Sequence, residues 1–375
     1  MNINFLFLSA ANFFYFFGLG VFNLFPLYLG KLGAQKFYIG FLMGLPVLVN
    51  FFYSFKIRNK IDFVNKKHYF LFAALLSCFI YFLYYLFPNL YVIPFIRIFQ
   101  GIINGIGVIF GLSIVVDIVA PEKKTSYLAI FGIMGSVANV FSPYLAEVLI
   151  RHIREPKTIF LVSVGASLLW VIFTLLVKYQ PQEKEPNTGA QKVRTMDYIK
   201  IIPLAIMNGG VFAAIFNFIS HYTYELRIAV IAIFFQVQTV VMIIIRIFFY
   251  NKFDKWDRKR TIVTCFSISA LALFVSFLLK YNQSWAVLAF IGFLYGIVQG
   301  ILFPTLNSLF IDTTPNRSGK ANIIFISSRN LGIVIFSFSC GLLSQFFGYS
   351  MMYLILSLLS FAFIIYVVKK KGIQY

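Results

Sequence analysis

The chain has 375 residues, of which 60% are apolar, 19% aromatic and only 12% charged. Soluble domains carry about 25% charged residues, so this chain lacks the polar surface that a soluble enzyme needs. Its formal net charge is +20, from 32 Lys and Arg against 12 Asp and Glu. A charge of that size indicates nucleic-acid binding only where the basic residues cluster on one solvent-exposed surface.

Twelve long apolar runs predict twelve transmembrane helices. We place them at about 5–29, 38–55, 69–87, 90–116, 127–150, 158–177, 201–220, 228–249, 261–280, 284–311, 321–347 and 349–368. The connections are too short to hold a folded soluble domain. The first run is too long for a signal peptide and Met1–Asn4 carries no basic residue, so we expect a retained helix.

Basic residues alternate between the two sets of connections. One set, together with the tail from Lys369, holds 22 Lys and Arg, whereas the opposite set holds 7. By the positive-inside rule the first set is cytoplasmic. This predicts a multi-pass protein of the cell membrane with both termini in the cytoplasm. Because topology accounts for the charge, we expect no nucleic-acid partner.

The longest polar stretch, 178–200, contains Pro181, Pro186 and Gly189 and has no apolar periodicity. It predicts a cytoplasmic linker between an N-terminal six-helix half, 1–177, and a C-terminal six-helix half, 201–375.

The two halves share features at an almost constant offset of 192–195 residues. The matched pairs include Gly101 with Gly296, Gly105 with Gly300, Asp117 with Asp312, Asp62 with Asp254, and Gly18 with Gly210. This pattern predicts a duplicated six-helix unit, an architecture that suits alternating access to a site near the middle of the membrane. The four-residue spacing of the paired glycines places them on one helix face, where another helix can pack closely.

The whole chain resembles the major facilitator superfamily of secondary transporters. Arg97-Ile-Phe-Gln100-Gly101 is similar to the family's Arg-x-x-Gln-Gly signature in span four. After span two, Asp62 with Lys66 and Lys67 keeps the acid and the basic pair of the family's loop motif but lacks its glycines. Ser142-Pro143-x-x-Ala146-Glu147 departs from the Gly-Pro-x-x-Gly-Gly of the family's exporters, so uptake and efflux both stay open. The resemblance implies an all-α membrane fold of two pseudo-symmetric six-helix halves that rock about a central cavity.

The resemblance also implies a cytoplasmic gate. It places Asp62 and Asp254 against helix starts of the opposite half, where a carboxylate gains about 0.3–1 kcal/mol from unpaired N–H groups. The other expected gate residues are Lys66, Lys67, Asp117, Arg258, Lys259 and Asp312. The alternative is that all of these are solvated loop charges that only set the topology.

Three arginines, Arg97, Arg246 and Arg329, lie inside predicted spans, where a charge costs at least about 2.5–3.5 kcal/mol. Arg246 is near the predicted cytoplasmic end of span eight, so we expect it to reach the membrane interface. Arg97 and Glu147 lie at similar depths, which suggests an ion pair. The alternative is a pair between Glu147 and Arg151 at i,i+4 spacing. Glu147 is also the one intramembrane candidate for a proton site.

Arg329 lies inside span eleven, and no acidic residue occurs deep in any span of its half. Such a cation either contacts an anionic or oxygen-rich ligand or is bound by neutral neighbours such as Ser327, Ser328 and Asn330.

The resemblance favours spans one, four, seven and ten as the lining of the substrate cavity. Besides Arg97 and Arg329, the polar candidates are Asn12, Asn23, Gln100, Asn104, Asn208, Asn217, Gln299 and Asn307. The alternative for each amide is a hydrogen bond between helices. Because no mid-membrane carboxylate is available to neutralise a cationic solute, a neutral or anionic solute is favoured.

We therefore expect a secondary transporter of a small solute that acts as a monomer in the lipid bilayer, with a proton as the candidate coupling ion. Two alternatives on the same scaffold are an uncoupled facilitator and a lipid or lysolipid flippase. The histidines lack metal-ligand spacing, no nucleophile–base grouping can be assembled, and there is no phosphate-binding loop. We expect no enzymatic activity, no catalytic residue, no metal and no cofactor.

Overall fold

The structure is a computed structural model that describes residues 3–58, 64–120, 123–152, 155–179, 198–249, 256–312 and 318–369. Regular structure in these ranges is helical throughout. The α-helices are α1 Ile3–Gly20, α2 Phe25–Lys31, α3 Lys36–Arg58, α4 Lys66–Leu86, α5 Ile93–Ile118, α6 Lys124–His152, α7 Ile159–Leu176, α8 Ile202–Phe216, α9 Ile219–Glu225, α10 Ile233–Phe249, α11 Arg258–Leu278, α12 Trp285–Asp312 and α13 Ser318–Lys369.

Ten helical segments in the described ranges are long and apolar enough to cross a membrane, and α10 is a shorter apolar helix. The 52-residue α13 is interrupted at Gly348, where φ is 79° and ψ is 165°. Glycine suits this position because a side chain disfavours positive φ. Counting α10 as one span and α13 as two gives the twelve spans that the sequence predicts. The predicted all-α membrane fold is confirmed.

The first span of each half is broken at equivalent positions. After α1, a 3-10 turn at Val21–Leu24 leads into α2, where Pro26 lacks the N–H that a continuous helix requires. In the second half α8 ends at Phe216 and α9 begins at Ile219. The side chain of Asn217 at this break donates from Nδ2 to Ser337 Oγ at 2.7 Å.

The chain forms two compact units. Unit 1 comprises Met1–Gly33 and Leu45–Ala190, and unit 2 comprises Ala34–Gly44 and Gln191–Tyr375. In unit 1, α1 packs on α6 and α7, and α4 packs on α5 and α7. In unit 2, α8 packs on α13, α10 on α12, and α11 on both α12 and α13. Most of the predicted linker, residues 180–197, lies outside the described residues.

The repeated glycines make the same helix contact in each unit. A methyl group at Gly101 of α5 would lie 2.6 Å from the carbonyl oxygen of Pro46 in α3. A methyl group at Gly296 of α12 would lie 2.7 Å from the carbonyl oxygen of Gln238 in α10. Pro46 and Gln238 are themselves related by the repeat, so the two units use equivalent glycines to bring equivalent helices together.

Candidate substrate site

Unit 1 contains a cavity of about 190 Å³ between α1, α5 and α6. Its polar lining comes from Asn12, Ser136 and Asn139, and Phe16 is one of its apolar neighbours. Asn12 is only 2% exposed and its Nδ2 donates to the carbonyl of Phe131 at 2.8 Å. The predicted candidate Asn12 therefore lies at a cavity that offers amide and hydroxyl groups.

Gly132 keeps this cavity open. A methyl group added at Gly132 would meet no atom within 4 Å, so this part of α6 borders empty space. Gly135, one turn further along α6, instead packs tightly on the ring of Phe16. The missing side chain at Gly132 thus creates room, whereas the one at Gly135 permits close packing.

In unit 2, Arg329 is held by an amide and two aromatic rings. Its Nε donates to Oδ1 of Asn208 at 3.1 Å. Its Cζ lies 4.6 Å from the ring centre of Phe212 and 5.5 Å from that of Phe303, distances at which a cation is attracted to a ring. Among the described residues, no carboxylate forms an ion pair with Arg329. The sequence left two alternatives for Arg329, contact with a ligand or binding by neutral neighbours. Neutral partners do bind this cation, but they do not neutralise its charge.

Close packing of α8 on α13 fixes the position of Arg329. Any side chain at Gly209 would overlap the carbonyl of Arg329, and any side chain at Gly332 would overlap the carbonyl of Ile206. These two glycines let the backbones of α8 and α13 touch. The close packing of the two helices therefore fixes the backbone position from which the Arg329 side chain projects.

A sequence offset of 196, in place of the 192 that pairs Gly18 with Gly210, relates the two features. An offset of 196 residues relates Asn12 to Asn208 and Phe16 to Phe212, and an offset of 195 relates Val108 to Phe303. At offsets of 196 and 195, Arg329 corresponds to Ile133 and Met134, which lie between Gly132 and Gly135. Glycines thus leave a cavity in unit 1, and an arginine projects from the matching segment of unit 2.

Arg97 lies in a different setting. It is 3% exposed, and its Nη1 donates to Gln100 Oε1 at 2.7 Å. The same oxygen accepts the hydroxyl of Tyr84 at 3.0 Å, and Cζ of Arg97 lies 4.2 Å from the ring centre of Phe25. These contacts hold Arg97 and Gln100 together inside unit 1.

Glu147 forms an ion pair within its own helix. Its Oε1 accepts hydrogen bonds from Nε and Nη2 of Arg151, at 2.9 and 2.6 Å. The i,i+4 pair with Arg151, which the sequence offered as an alternative, is therefore present in the structure.

Arg246 contacts a neighbouring helix of unit 2, and its predicted reach to the membrane interface stays a prediction. Its Nη2 donates to the main-chain carbonyl of Gln299 at 3.2 Å. Gln299 lies near the middle of α12, which runs from Trp285 to Asp312. This contact directs one terminal nitrogen of Arg246 towards the backbone of α12.

The remaining predicted amides divide into bonded and unbonded groups. Nε2 of Gln299 donates to the hydroxyl of Tyr295 at 2.5 Å, and Asn217 is bonded as described above. Asn104 and Asn307 each have a buried Oδ1 without a hydrogen-bond partner among the described residues. Asn23 is part-buried in the 3-10 turn after α1.

Two of the predicted gate residues, Asp62 and Asp254, lie outside the described residues. In unit 1, Nζ of Lys66 lies 2.6 Å from Oδ2 of Asp117, and both side chains are buried. Tyr179 donates to the same carboxylate oxygen at 2.8 Å. Burial and this hydrogen bond raise the pKa of Tyr179, so its hydroxyl stays a donor at neutral pH.

The basic pair of each unit makes further internal contacts. Lys67 donates to the carbonyls of Leu175 and Val177 at the end of α7, at 3.0 and 2.6 Å. In unit 2, Arg258 pairs with Asp312, and Lys259 donates to the carbonyl of Val368 at 3.3 Å. These contacts tie helix ends together within one unit, and a gating role for these residues stays a prediction.

Comparison with known proteins defines the class of protein. The family model of the Major Facilitator Superfamily matches residues 6–251 and 201–372, which together span almost the whole chain. The chain belongs to the Major Facilitator Superfamily and is a secondary transporter embedded in a membrane by many spans, not an enzyme. In the described residues no group of three or more His, Cys, Asp or Glu side chains is placed to hold a metal ion.

Particular relatives are distant in sequence. The chain is 24% identical over 289 residues to the staphylopine export protein of Staphylococcus aureus strain Mu50, covering 70% of each chain. Among solved structures, it resembles the nucleoside transporter NupG (14% identity, TM-score 0.77, covering 99% of this chain and 100% of the other). It also resembles the inward-open xylose transporter XylE of E. coli (14% identity, TM-score 0.76, covering 98% and 96%). At these identities the structures show the fold alone.

Proposed function

We propose that this transporter moves a small solute with an anionic group across the cell membrane, and that Arg329 binds that group. The observation that carries the proposal is the setting of Arg329, whose described neighbours are an amide and aromatic rings. A charge inside a membrane-spanning helix costs at least about 2.5–3.5 kcal/mol on insertion scales. An anion brought by the solute would offset part of that cost, because it supplies the opposite charge that the neighbours lack.

The geometry of Arg329 suits a carboxylate. Asn208 accepts the Nε–H, which leaves the two terminal nitrogens for a ligand. Paired N–H donors of a guanidinium match the two oxygens of a carboxylate. The rings of Phe212 and Phe303 restrict the guanidinium plane, so little side-chain freedom is lost when the solute binds.

We propose rocker-switch alternating access as the mechanism, with the cavity at Gly132 also exposed to the solute during the cycle. Both termini are proposed to be cytoplasmic, with 178–200 as the linker, because the basic residues concentrate on that side. The gate residues named above and a monomeric state belong to the same proposal. The name of the Staphylococcus aureus relative supports export as the direction, and staphylopine is therefore the first solute to test.

Coupling to a proton and uncoupled facilitation differ in one measurement. In proteoliposomes with a pH gradient and no solute gradient, a proton-coupled carrier accumulates solute and an uncoupled facilitator does not. The lipid flippase alternative is tested in the same vesicles with a fluorescent lysolipid.

The test of Arg329 compares two substitutions of the same kind. The purified chain is screened for thermal stabilisation by organic anions, and any hit is tested for transport. Arg329→Gln is expected to abolish both stabilisation and transport. Arg227→Gln removes one positive charge from an exposed connection and is expected to leave both unchanged. Equal anion binding by wild type and Arg329→Gln would refute the proposal.

A further inference from the structure

Arg246 and Arg329 both contact α12 of unit 2 near its middle, at Gln299 and Phe303 respectively. Helices α10 and α12 lie in parallel contact, with Gly296 against Gln238 and Gly300 against Ile245. This register brings Arg246 beside Gln299, about 20 Å along α12 from Asp312 at 1.5 Å per residue. Phe303, which lies against Arg329, is one turn along α12 from Gln299.

Neighbouring residues of α12 contact the two arginines. The main-chain carbonyl of Gln299 accepts Nη2 of Arg246, and its side chain donates to the hydroxyl of Tyr295. The ring centre of Phe303, one turn after Gln299 on α12, lies 5.5 Å from Cζ of Arg329. In addition, Nε of Arg246 is buried and has no hydrogen-bond partner among the described residues.

The helices that carry these groups offer almost no negative charge. Helices α8, α10 and α13 contain no Asp or Glu, and α12 contains only Asp312. Asp312 lies at the end of its helix and is paired with Arg258. Two cations therefore share an interior whose own helices supply no free carboxylate at their depth.

We propose that Arg246 and Arg329 together select a solute with two anionic groups, such as a dicarboxylate. This inference rests on the proposed function and adds a second contact to it. A single carboxylate would neutralise one cation and leave the other, whereas a dianion neutralises both. Arg329 presents its terminal nitrogens to one group, and the unpartnered Nε–H of Arg246 is available for the other.

Gln299 positions Arg246 for this contact. Its carbonyl binds one end of the guanidinium, so the other nitrogens are directed away from the backbone of α12. Because the contact uses a main-chain atom, substitution of the Gln299 side chain leaves it in place. The amide of Asn208 adds an uncharged hydrogen-bonding group beside Arg329.

Binding of paired ligands tests the inference. The full chain in detergent is titrated calorimetrically with short straight-chain dicarboxylates and with the monomethyl ester of each. Wild type is expected to bind the best diacid about 10–100-fold more tightly than its ester, the difference expected for one charge-assisted hydrogen-bonded contact. Arg246→Gln is expected to remove this preference while ester binding is unchanged. Arg246→Lys, which keeps the charge, is expected to retain part of it.

The outcomes separate the two proposals. If ester and diacid bind wild type equally and both need Arg329, the two-anion inference is wrong and the proposed function stands. The same conclusion follows if Arg246→Gln keeps the full preference for the diacid. If no anion binds wild type, or if binding is unaffected by Arg329→Gln, the proposed function fails and the inference fails with it. Arg227→Gln serves as the control in every titration.

Discussion

Filling the unit 1 cavity from Gly132 is expected to stop transport without unfolding the protein. The Gly132→Trp side chain would enter a space of about 190 Å³ where no atom lies within 4 Å of an added methyl group. If solute must enter this cavity, the indole ring blocks it. The structure thus predicts the unusual combination of a large substitution, a lost activity and a retained fold.

The expected effect on stability follows from buried area. An aromatic side chain buries about 150–250 Å², which at about 25 cal/mol per Å² is worth about 4–6 kcal/mol of transfer free energy when it displaces water. Fixing the side chain costs about 1–2 kcal/mol. Replacing glycine by tryptophan within a helix improves the helix propensity by about 0.5 kcal/mol. The melting temperature of Gly132→Trp should therefore be equal to or higher than that of wild type.

Gly165→Trp is the matched control. Gly165 of α7 is exposed, as Gly132 is, and a methyl group there would also meet nothing within 4 Å. Gly165→Trp makes the same change from glycine to tryptophan in a helix, but Gly165 borders no cavity of the substrate site. Gly165→Trp is expected to transport normally, and Gly132→Ala, which adds one methyl group, should transport nearly as well as wild type.

The assay is solute flux in proteoliposomes, together with thermal unfolding in detergent. Normal flux through Gly132→Trp would show that solute does not use this cavity. A melting temperature lowered by Gly132→Trp and not by Gly165→Trp would contradict the open space at α6, and the reasoning from it would fail.

Two further substitutions test the packing that supports the site. Asp117→Asn leaves the buried ammonium of Lys66 without its carboxylate and should lower the free energy of unfolding by about 3–5 kcal/mol. If the second substitution Lys66→Met restores the melting temperature, the unpaired charge is the cause. An unchanged melting temperature in Asp117→Asn would contradict this reasoning. Gly296→Val places a side chain against the α10 backbone and should lower the free energy of unfolding by at least about 1–3 kcal/mol. It should also weaken anion binding, because it moves Arg246. An unchanged free energy of unfolding would refute the close contact of α10 with α12.

The apolar runs and the distribution of Lys and Arg were sufficient to predict the class of fold, because burial in lipid imposes one pattern on every span. The sequence also singled out Arg329, since the absence of acidic residues from its helices is visible without a structure. The pairing of Glu147 was harder to assign. The i,i+4 partner Arg151 competes with the distant Arg97, and only side-chain placement shows which one the carboxylate meets.

Arg246 shows why depth along one helix does not define the surroundings of a side chain. Its distance from the end of α10 predicted contact with the interface. The partner that holds it is a main-chain carbonyl of α12, and the hydropathy of α10 carries no information about that neighbour. The register between these helices is set by Gly292, Gly296 and Gly300, so the glycine spacing was the signal from which the placement could have been inferred.

Comparison of the two duplicated halves distinguishes residues that both units share from residues that differ between them. Asn12 and Phe16 recur as Asn208 and Phe212, so both units keep an amide and a ring on the first helix. The opposing segment differs, with Gly132, Ile133 and Met134 in unit 1 in the region that holds Arg329 in unit 2. A symmetric pair of units can support a symmetric motion, but two identical surfaces cannot give a solute with distinct ends one preferred orientation. The chemistry that selects the solute should therefore be found where the repeats differ, and Arg329 is such a position.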